Sequence, residues 1–301
     1  MSTVCACLDG LANSTAVVDC AVWSARRLQV PVSFLHMLER HPECAAVSDH
    51  SGAIGLGAQE SLLGELAELD AQRGQLAQQA GRALLAAACD RAAAAGLAEP
   101  EVDTRLRHGS LVEGVLEVQD DARLFVMGEH LRPRETAAVG QSSLRARLHL
   151  DHHVEAVVRA VTRPVLVVPG GRFVAPQRVV IAFDGSATAH KTVQTVIRSP
   201  LLTGLPVLLA MATGSDAAVA RPAAAQALDD PCRSLVLAGF DTRSEQLAGE
   251  PEVVLPALLK AQGAAWLVMG AYGHSRIRLL IVGSTTTALL RLAEVPVLVL
   301  H

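Results

Sequence analysis

The chain lacks an excess of positive charge. Its 26 Lys and Arg against 30 Asp and Glu give a formal net charge of -4, so no global field draws it to nucleic acid or to an anionic membrane surface. Any phosphate-binding site must therefore be local. No apolar run approaches the length of a membrane span. The opening MSTVCACLDG carries no basic region, apolar stretch and small-residue cleavage site in series, so a cytoplasmic location is expected. The six cysteines (Cys5, Cys7, Cys20, Cys44, Cys89, Cys232) form neither a disulfide framework nor paired CxxC knuckles. Cys5 and Cys7 stand two apart in a strand pattern and share a face, which suits small apolar packing and leaves a metal or redox role open.

What the 301 residues do contain is ample apolar material, 50% of the chain, in a length that suits two domains. The dominant signal is an internal repeat. VCACLDG (4–10) matches VVIAFDG (179–185), LFVMG (124–128) matches WLVMG (266–270), and RPVLVVP (163–169) matches VPVLVLH (295–301). Between the first two landmarks, RHGSLVEGVLE (107–117) holds the place of AGEPEVVLPALL (248–259), each a glycine turn opening a helix. Each copy reads as five strands alternating with four helices, the strands being Val/Ile/Leu runs suited to a parallel sheet covered on both faces. The fold class is α/β, with two tandem doubly wound domains of mainly five parallel strands each, over residues 1–168 and 178–301. PGGRFVAPQ, within 169–177, is the linker.

The first copy carries an additional helical stretch, roughly 58–95, with Leu62, Leu66, Leu69, Leu76, Ala80 and Leu84 at helical spacing. Packing on its own sheet is the expectation, with partner binding as the alternative. Gly64, Gly74 and Gly81 each cost about 1 kcal/mol relative to alanine, which leaves bends or a break open there.

The chemistry concentrates in GAYGHSRIRLLIVGSTTTALL (270–290). It joins the carboxyl end of a parallel strand to a helix, which is where open α/β sheets bind ligands. Gly270 and Gly273 allow close backbone approach, and Gly283, Ser284 and Thr285 open a helix whose N–H groups and dipole suit an anion. Hydroxyls at Ser284, Thr285 and Thr286 add donors. Each residue also has a plain structural use, glycine in a tight turn and Ser284 as an N-cap, but those uses do not explain the joint spacing. The stretch has neither the Gly-Lys-Ser/Thr ending of a P-loop nor G-x-G-x-x-G.

The spacing Gly270-x2-Gly273-x9-Gly283-Ser284 resembles the ATP-binding signature of the universal stress protein family. So do Asp184-Gly185-Ser186 after the first strand, the turn Gly249-Glu250-Pro251, and the closing Pro-Val-Leu-Val strand. The resemblance spans nearly the whole chain as two tandem domains and implies an adenine nucleotide alpha hydrolase-like fold binding ATP, with Mg2+ as a companion ion. It implies that Asp184 and Gly185 lie beside the adenosine and that backbone near Met211 or Ala212 meets the adenine edge. Gly270 and Gly273 would approach ribose and phosphates, while Gly283, Ser284 and Thr285 would hold the phosphate chain. Arg276 and Arg278 lie in the same loop and either reach a triphosphate or are solvated; His274 reads as an exposed loop residue.

The first copy departs from this pattern. Alignment of the closing strands puts Asp151 where Gly283 lies, His152 where Ser284 lies, and Leu131 in place of Gly273; Gly128, Asp9 and Gly10 survive. A carboxylate at that helix terminus repels phosphate, so one nucleotide per chain is expected, in the second half. His149, Asp151, His152 and His153 offer a zinc-like donor set, against the plainer reading of capping and exposed polar residues. Arg132, Arg134, Arg145 and Arg147 line the same loop and read as solvated, with attraction of an anion as the alternative.

Hydrolysis would need an acid to hold Mg2+ and a placed base; Asp184 is the acid with a claim, and no Ser/His/Asp or paired-carboxylate arrangement is legible. The expected function is a binding module in which ATP biases a conformation or a surface for a protein partner. A slow Mg2+-dependent ATP hydrolase and a nucleotide-independent scaffold remain alternatives. Neither nucleic acid nor a membrane is an expected partner. The closing strands 164–168 and 296–300 are edge candidates, and their mutual pairing as an intramolecular pseudo-dimer is expected, with homodimerisation of the whole chain open.

Overall fold

The computed structural model describes residues 2–11, 13–38, 56–97, 100–129, 152–214, 217–263, 265–271 and 284–301, with backbone alone at 56–63, 152, 217–224 and 284. The first half runs β1 (Thr3–Leu8), α1 (Ser14–Leu28), β2 (Val32–Leu38), α2 (Leu56–Ala94), β3 (Val102–His108), α3 (Leu111–Val118), β4 (Ala122–Gly128), α4 (His152–Ala160), β5 (Val165–Val168). The second runs β6 (Arg178–Ala182), α5 (Ala187–Arg198), β7 (Val207–Ala212), α6 (Ala217–Leu237), β8 (Thr242–Leu247), α7 (Pro251–Gln262), β9 (Ala265–Gly270), α8 (Ser284–Leu292), β10 (Val297–Leu300).

All ten strands form one sheet in the order β3-β2-β1-β4-β5-β10-β9-β6-β7-β8. Within each half the pairs are parallel, and the halves meet through the antiparallel pair β5–β10, with Val167 opposite Val297 and Val165 opposite Val299. Each closing strand thus covers the other's edge, as their short apolar sequences led one to expect. The junction extends beyond the strands. Trp23 of α1 packs edge-on to Trp266 of β9 with ring centroids 4.9 Å apart, and Phe173 of the connecting segment lies 6.4 Å from Trp23. Arg27, stacked over Trp23, donates from Nε to the Leu201 carbonyl at 3.0 Å and also to the Thr203 carbonyl.

Two apolar layers sandwich the sheet. One is built by α1, α2, α5 and α6 around residues such as Val17, Leu85, Val193 and Leu235; the other by α3, α4, α7 and α8 around Val115, Val157, Leu259 and Leu289. Cys5 and Cys7 lie in the second layer, fully apolar company. The Cys5 side chain and burial both push the Cys7 thiol well up, which suits packing.

Two expectations change. The strands are not uniformly apolar: the outermost, β3 (VDTRLRH) and β8 (TRSEQL), are largely exposed and polar, because an outer edge is guarded by charge. And the helix of the first half is continuous over 39 residues despite its glycines, but only its last third packs on the sheet, through Gly81, Leu85, Ala88 and Ala92. Gly81 is required there, since a Cβ would sit 2.8 Å from both His36 and Leu106. Leu66, Leu69 and Leu76 face solvent at 37%, 50% and 65% exposure.

Candidate functional site

In each half the strand order reverses between the first and fourth strands, β1 and β4 or β6 and β9, leaving a crevice at their carboxyl ends. In the second half β6 turns off at Phe183. Asp184 and Gly185 are exposed there, Gly185 takes φ +76°, and the Asp184 carboxylate accepts the Ser186 N–H at 2.9 Å. The Ser186 hydroxyl accepts the Ala189 N–H at 3.1 Å and caps α5. The Cβ position of Gly185 is 3.6 Å from Met211 Cε, so the structure brings Asp184–Gly185 and the end of β7 together.

Main-chain geometry at β7 is the informative part. The β6–β7 pairing ends at Ala182 opposite Ala210, with Phe183 N–H donating to the Ala210 carbonyl at 2.9 Å, while β7 runs on beside β8 to Ala212 opposite Leu247. Thr213 N–H donates to the Leu247 carbonyl at 2.9 Å. Alternation along a strand then turns the N–H and C=O of Ala212 to the β6 side, where β6 has already departed. A donor and an acceptor in one plane face the crevice beside Asp184. Beyond them the chain is closed by reciprocal hydrogen bonds between Gly214 and Gly249 at 3.2 and 3.0 Å, both residues at positive φ.

The other wall is the end of β9 and the start of α8. Thr286 Oγ1 donates to the Ala271 carbonyl at 3.3 Å, and Thr285 Oγ1 donates to Glu252 Oε1 at 3.1 Å. The Thr285 hydroxyl is thus engaged with α7, and what it offers to the crevice is its N–H, one of the first-turn donors that a helix leaves unpaired. Gly270 has a packing explanation: a Cβ there would meet Thr188 Cγ2 at 2.6 Å and Thr192 Oγ1 at 3.2 Å, on α5. Gly273, Arg276, Gly283, His274 and Arg278 lie outside the described residues, and Ser284 opens α8 with its backbone alone described.

Among the described residues, polar side chains meet across the equivalent strand ends of the first half. Asp9 accepts the Leu11 N–H at 2.8 Å and the Ser14 hydroxyl at 3.3 Å, and Asn13 and Glu129 are buried at 8% and 5% exposure. The Asn13 amide donates to the Glu129 carbonyl and sits 3.1 Å from where a Cβ of Gly170 would stand. Sequence reasoning missed this Asn13–Glu129 contact and the Glu252–Thr285 contact. The first had a signal: Glu129 and Ala271 each follow the matched strands by one residue. Of the candidate metal donors, His149 and Asp151 lie outside the described residues, as do Leu131 and the arginines of that loop, and no metal-holding cluster occurs among the described ones. No helix among the described residues is long and apolar enough to cross a membrane.

Such a molecule is a duplicated α/β protein whose two halves differ, among the described residues, at the strand ends that border the crevice. The model of the Universal stress protein family matches residues 1–169 and again 176–301, and the chain belongs to that family. A universal stress protein of Synechocystis sp. is 30% identical over 301 residues, covering 99% of each chain. Among solved structures, a universal stress protein from Archaeoglobus fulgidus DSM 4304 matches with a TM-score of 0.64 at 16% identity, covering 100% of this chain and 98% of its own. A Pseudomonas aeruginosa PAO1 protein described as functionally unknown matches at 0.61 and 18%, covering 100% and 92%. These two likenesses bear on the fold alone.

Proposed function

We propose that the second half binds ATP and that the chain works as a nucleotide-dependent binding module in a stress response. The observation that carries this reading is the Ala212 main chain, whose N–H and C=O face the crevice beside Asp184 without a neighbouring strand. A donor and acceptor so spaced match the N1 and N6-amino edge of adenine and oppose the edge of hypoxanthine. Met211 packs near the Asp184–Gly185 turn, the exposed Asp184 faces the ribose side, and the first turn of α8 supplies N–H groups for phosphate. Gly270, Gly273, Arg276, Gly283, Ser284 and Thr285 complete the proposed set, Gly270 by admitting α5 rather than by touching ligand. Mg2+ fits this donor set, since it is commonly held by one or two carboxylates together with phosphate oxygens, and Asp184 is the carboxylate at hand. A bound ion would neutralise phosphate charge.

The domain limits proposed are 1–168 and 178–301, joined by 169–177, in a cytoplasmic protein. Calorimetric titration with ATP, ADP, AMP and ITP tests the reading. ATP binds wild type and loses at least about tenfold affinity as ITP, because an unpaired buried donor or acceptor costs about 1–3 kcal/mol. Gly283→Val removes the heat. Absence of heat at millimolar ATP, or equal binding of ATP and ITP, would overturn it. Steady Mg2+-dependent phosphate release abolished by Asp184→Ala would instead assign a hydrolase.

A further inference from the structure

The two halves align without a gap from their first-strand acids to their second strands. Asp9 and Asp184 stand equally far ahead of Pro31 and Pro206, and Val4 pairs with Val32 as Val179 pairs with Val207. Trp23 of α1 therefore corresponds to Arg198 of α5, and Arg27 to Leu202. On the fourth strands the register settles the match: Val4 lies opposite Leu124 and Val179 opposite Trp266, so Trp266 corresponds to Leu124. The Trp23–Trp266 contact thus has a mate across the junction, formed by Arg198 and Leu124. Two indoles, edge to face at 4.9 Å under the Arg27 guanidinium, fill the one side, and the other side has neither ring. A cavity of about 240 Å³ lies there, and Arg198, Leu124 and Leu202 all line it.

Leu28, Leu124, Leu202, Leu298 and Leu300 are buried and give this cavity an apolar floor. Of its polar groups, Thr195 donates its hydroxyl to the Lys191 carbonyl at 2.9 Å and Ser199 Oγ accepts the Leu201 N–H at 3.4 Å, so both are engaged within α5 and the turn after it. Arg123 and Arg198 remain. No acid lines the cavity, and among the described residues neither guanidinium has a hydrogen-bond or ion-pair partner. An apolar chamber with two unpaired cations in its wall selects a ligand with an apolar body and one negative group. A guanidinium binds carboxylate through two parallel hydrogen bonds and stacks on aromatic faces. The volume suits about eight waters at roughly 30 Å³ each and falls below the roughly 300–1,000 Å³ of drug-sized sites, so the body is one ring or two fused ones.

We propose that this cavity binds a small aromatic carboxylate, its ring in the space that the indoles fill on the other side and its carboxylate on Arg123 and Arg198. The filled mate favours that class, because the same junction is completed there by aromatic rings beside a guanidinium. The cavity shares no residue with the proposed nucleotide set.

Calorimetric titration of the full chain with phenylacetate, indole-3-acetate, their amides and acetate provides the test. Wild type binds one aromatic acid per chain, at least about tenfold more tightly than its amide, because the amide loses hydrogen bonds between charged partners. Acetate gives no heat. Arg123→Gln with Arg198→Gln brings the acid down to the affinity of the amide and leaves the amide unchanged. Leu124→Trp with Arg198→Trp rebuilds the indole pair and abolishes the heat of both, with the circular dichroism of the core retained. Asp184→Ala keeps the aromatic-acid heat, which separates this site from the nucleotide crevice. No heat from either acid at millimolar concentration, equal affinity for acid and amide, undiminished binding in either double variant, or heat lost in Asp184→Ala would each overturn it.

Discussion

The two halves of the chain share strand order, helix placement and first-strand acid, yet their described strand ends are built differently. In the second half Ser186 caps α5, Thr188 packs under Gly270, and Ala271 follows the fourth strand. In the first half Leu11, Asn13 and Glu129 hold those places. Leu11 supplies no cap and is 53% exposed, α1 starts two residues later than its counterpart relative to the aspartate, and the Asn13 amide donates to the Glu129 carbonyl. One duplicated scaffold therefore keeps its packing while exchanging a handful of residues at the strand ends, and on the proposed function those residues separate a binding half from a structural one.

Transplanting the first half's buried carboxylate gives the largest effect. Ala271 is fully buried, so Ala271→Glu buries a carboxylate without a built partner and should cost about 3–5 kcal/mol in urea denaturation, with loss of nucleotide heat. An unchanged midpoint would show that the second crevice tolerates what the first contains. Next comes Gly270→Ala, whose Cβ meets Thr188 Cγ2 at 2.6 Å and should cost about 1–3 kcal/mol, most of it recovered in Gly270→Ala with Thr188→Ala. Lost nucleotide binding at full stability would return Gly270 to a ligand role. Ser186→Ala should cost about 1 kcal/mol by removing the α5 cap, while Leu11→Ala at the matching place stays within about 0.5 kcal/mol.

An effect confined to acid pH concerns the strand ends at the junction. Pro169 follows β5, and His301 stands in the same place after β10. Burial first, and then Lys191, push the His301 imidazole down to about 4 from 6.5. The unfolded chain takes up this proton near 6.5 while the folded chain refuses it until about 4, so stability falls as pH falls through that window and levels below it. His301→Asn should flatten the melting temperature against pH over that range. An identical slope in the variant would remove His301 from the acid response.

The repeat, the five-strand and four-helix order and the pairing of the closing strands were legible because buried parallel strands leave dense apolar runs and short apolar edges demand cover. β3 and β8 were hidden in that reading, since outer strands trade apolar residues for charges such as Asp103, Arg107 and Glu245. The leucine spacing of α2 announced a helix but not its neighbour: periodicity fixes a face, and only the fold tells whether the sheet lies under it. The Asp184–Gly185 turn was legible because turn chemistry is local. The direction of the Ala212 main chain was not, because it depends on where β6 stops relative to β7, and the Thr285–Glu252 contact joins residues 33 apart in sequence.

The most direct test is the stoichiometry of ATP binding measured by calorimetry on wild type, Asp9→Ala and Asp184→Ala. One ATP per chain, retained in Asp9→Ala and lost in Asp184→Ala, is the predicted result. Two per chain, or binding that survives Asp184→Ala and vanishes with Asp9→Ala, would contradict the assignment of nucleotide binding to the second half.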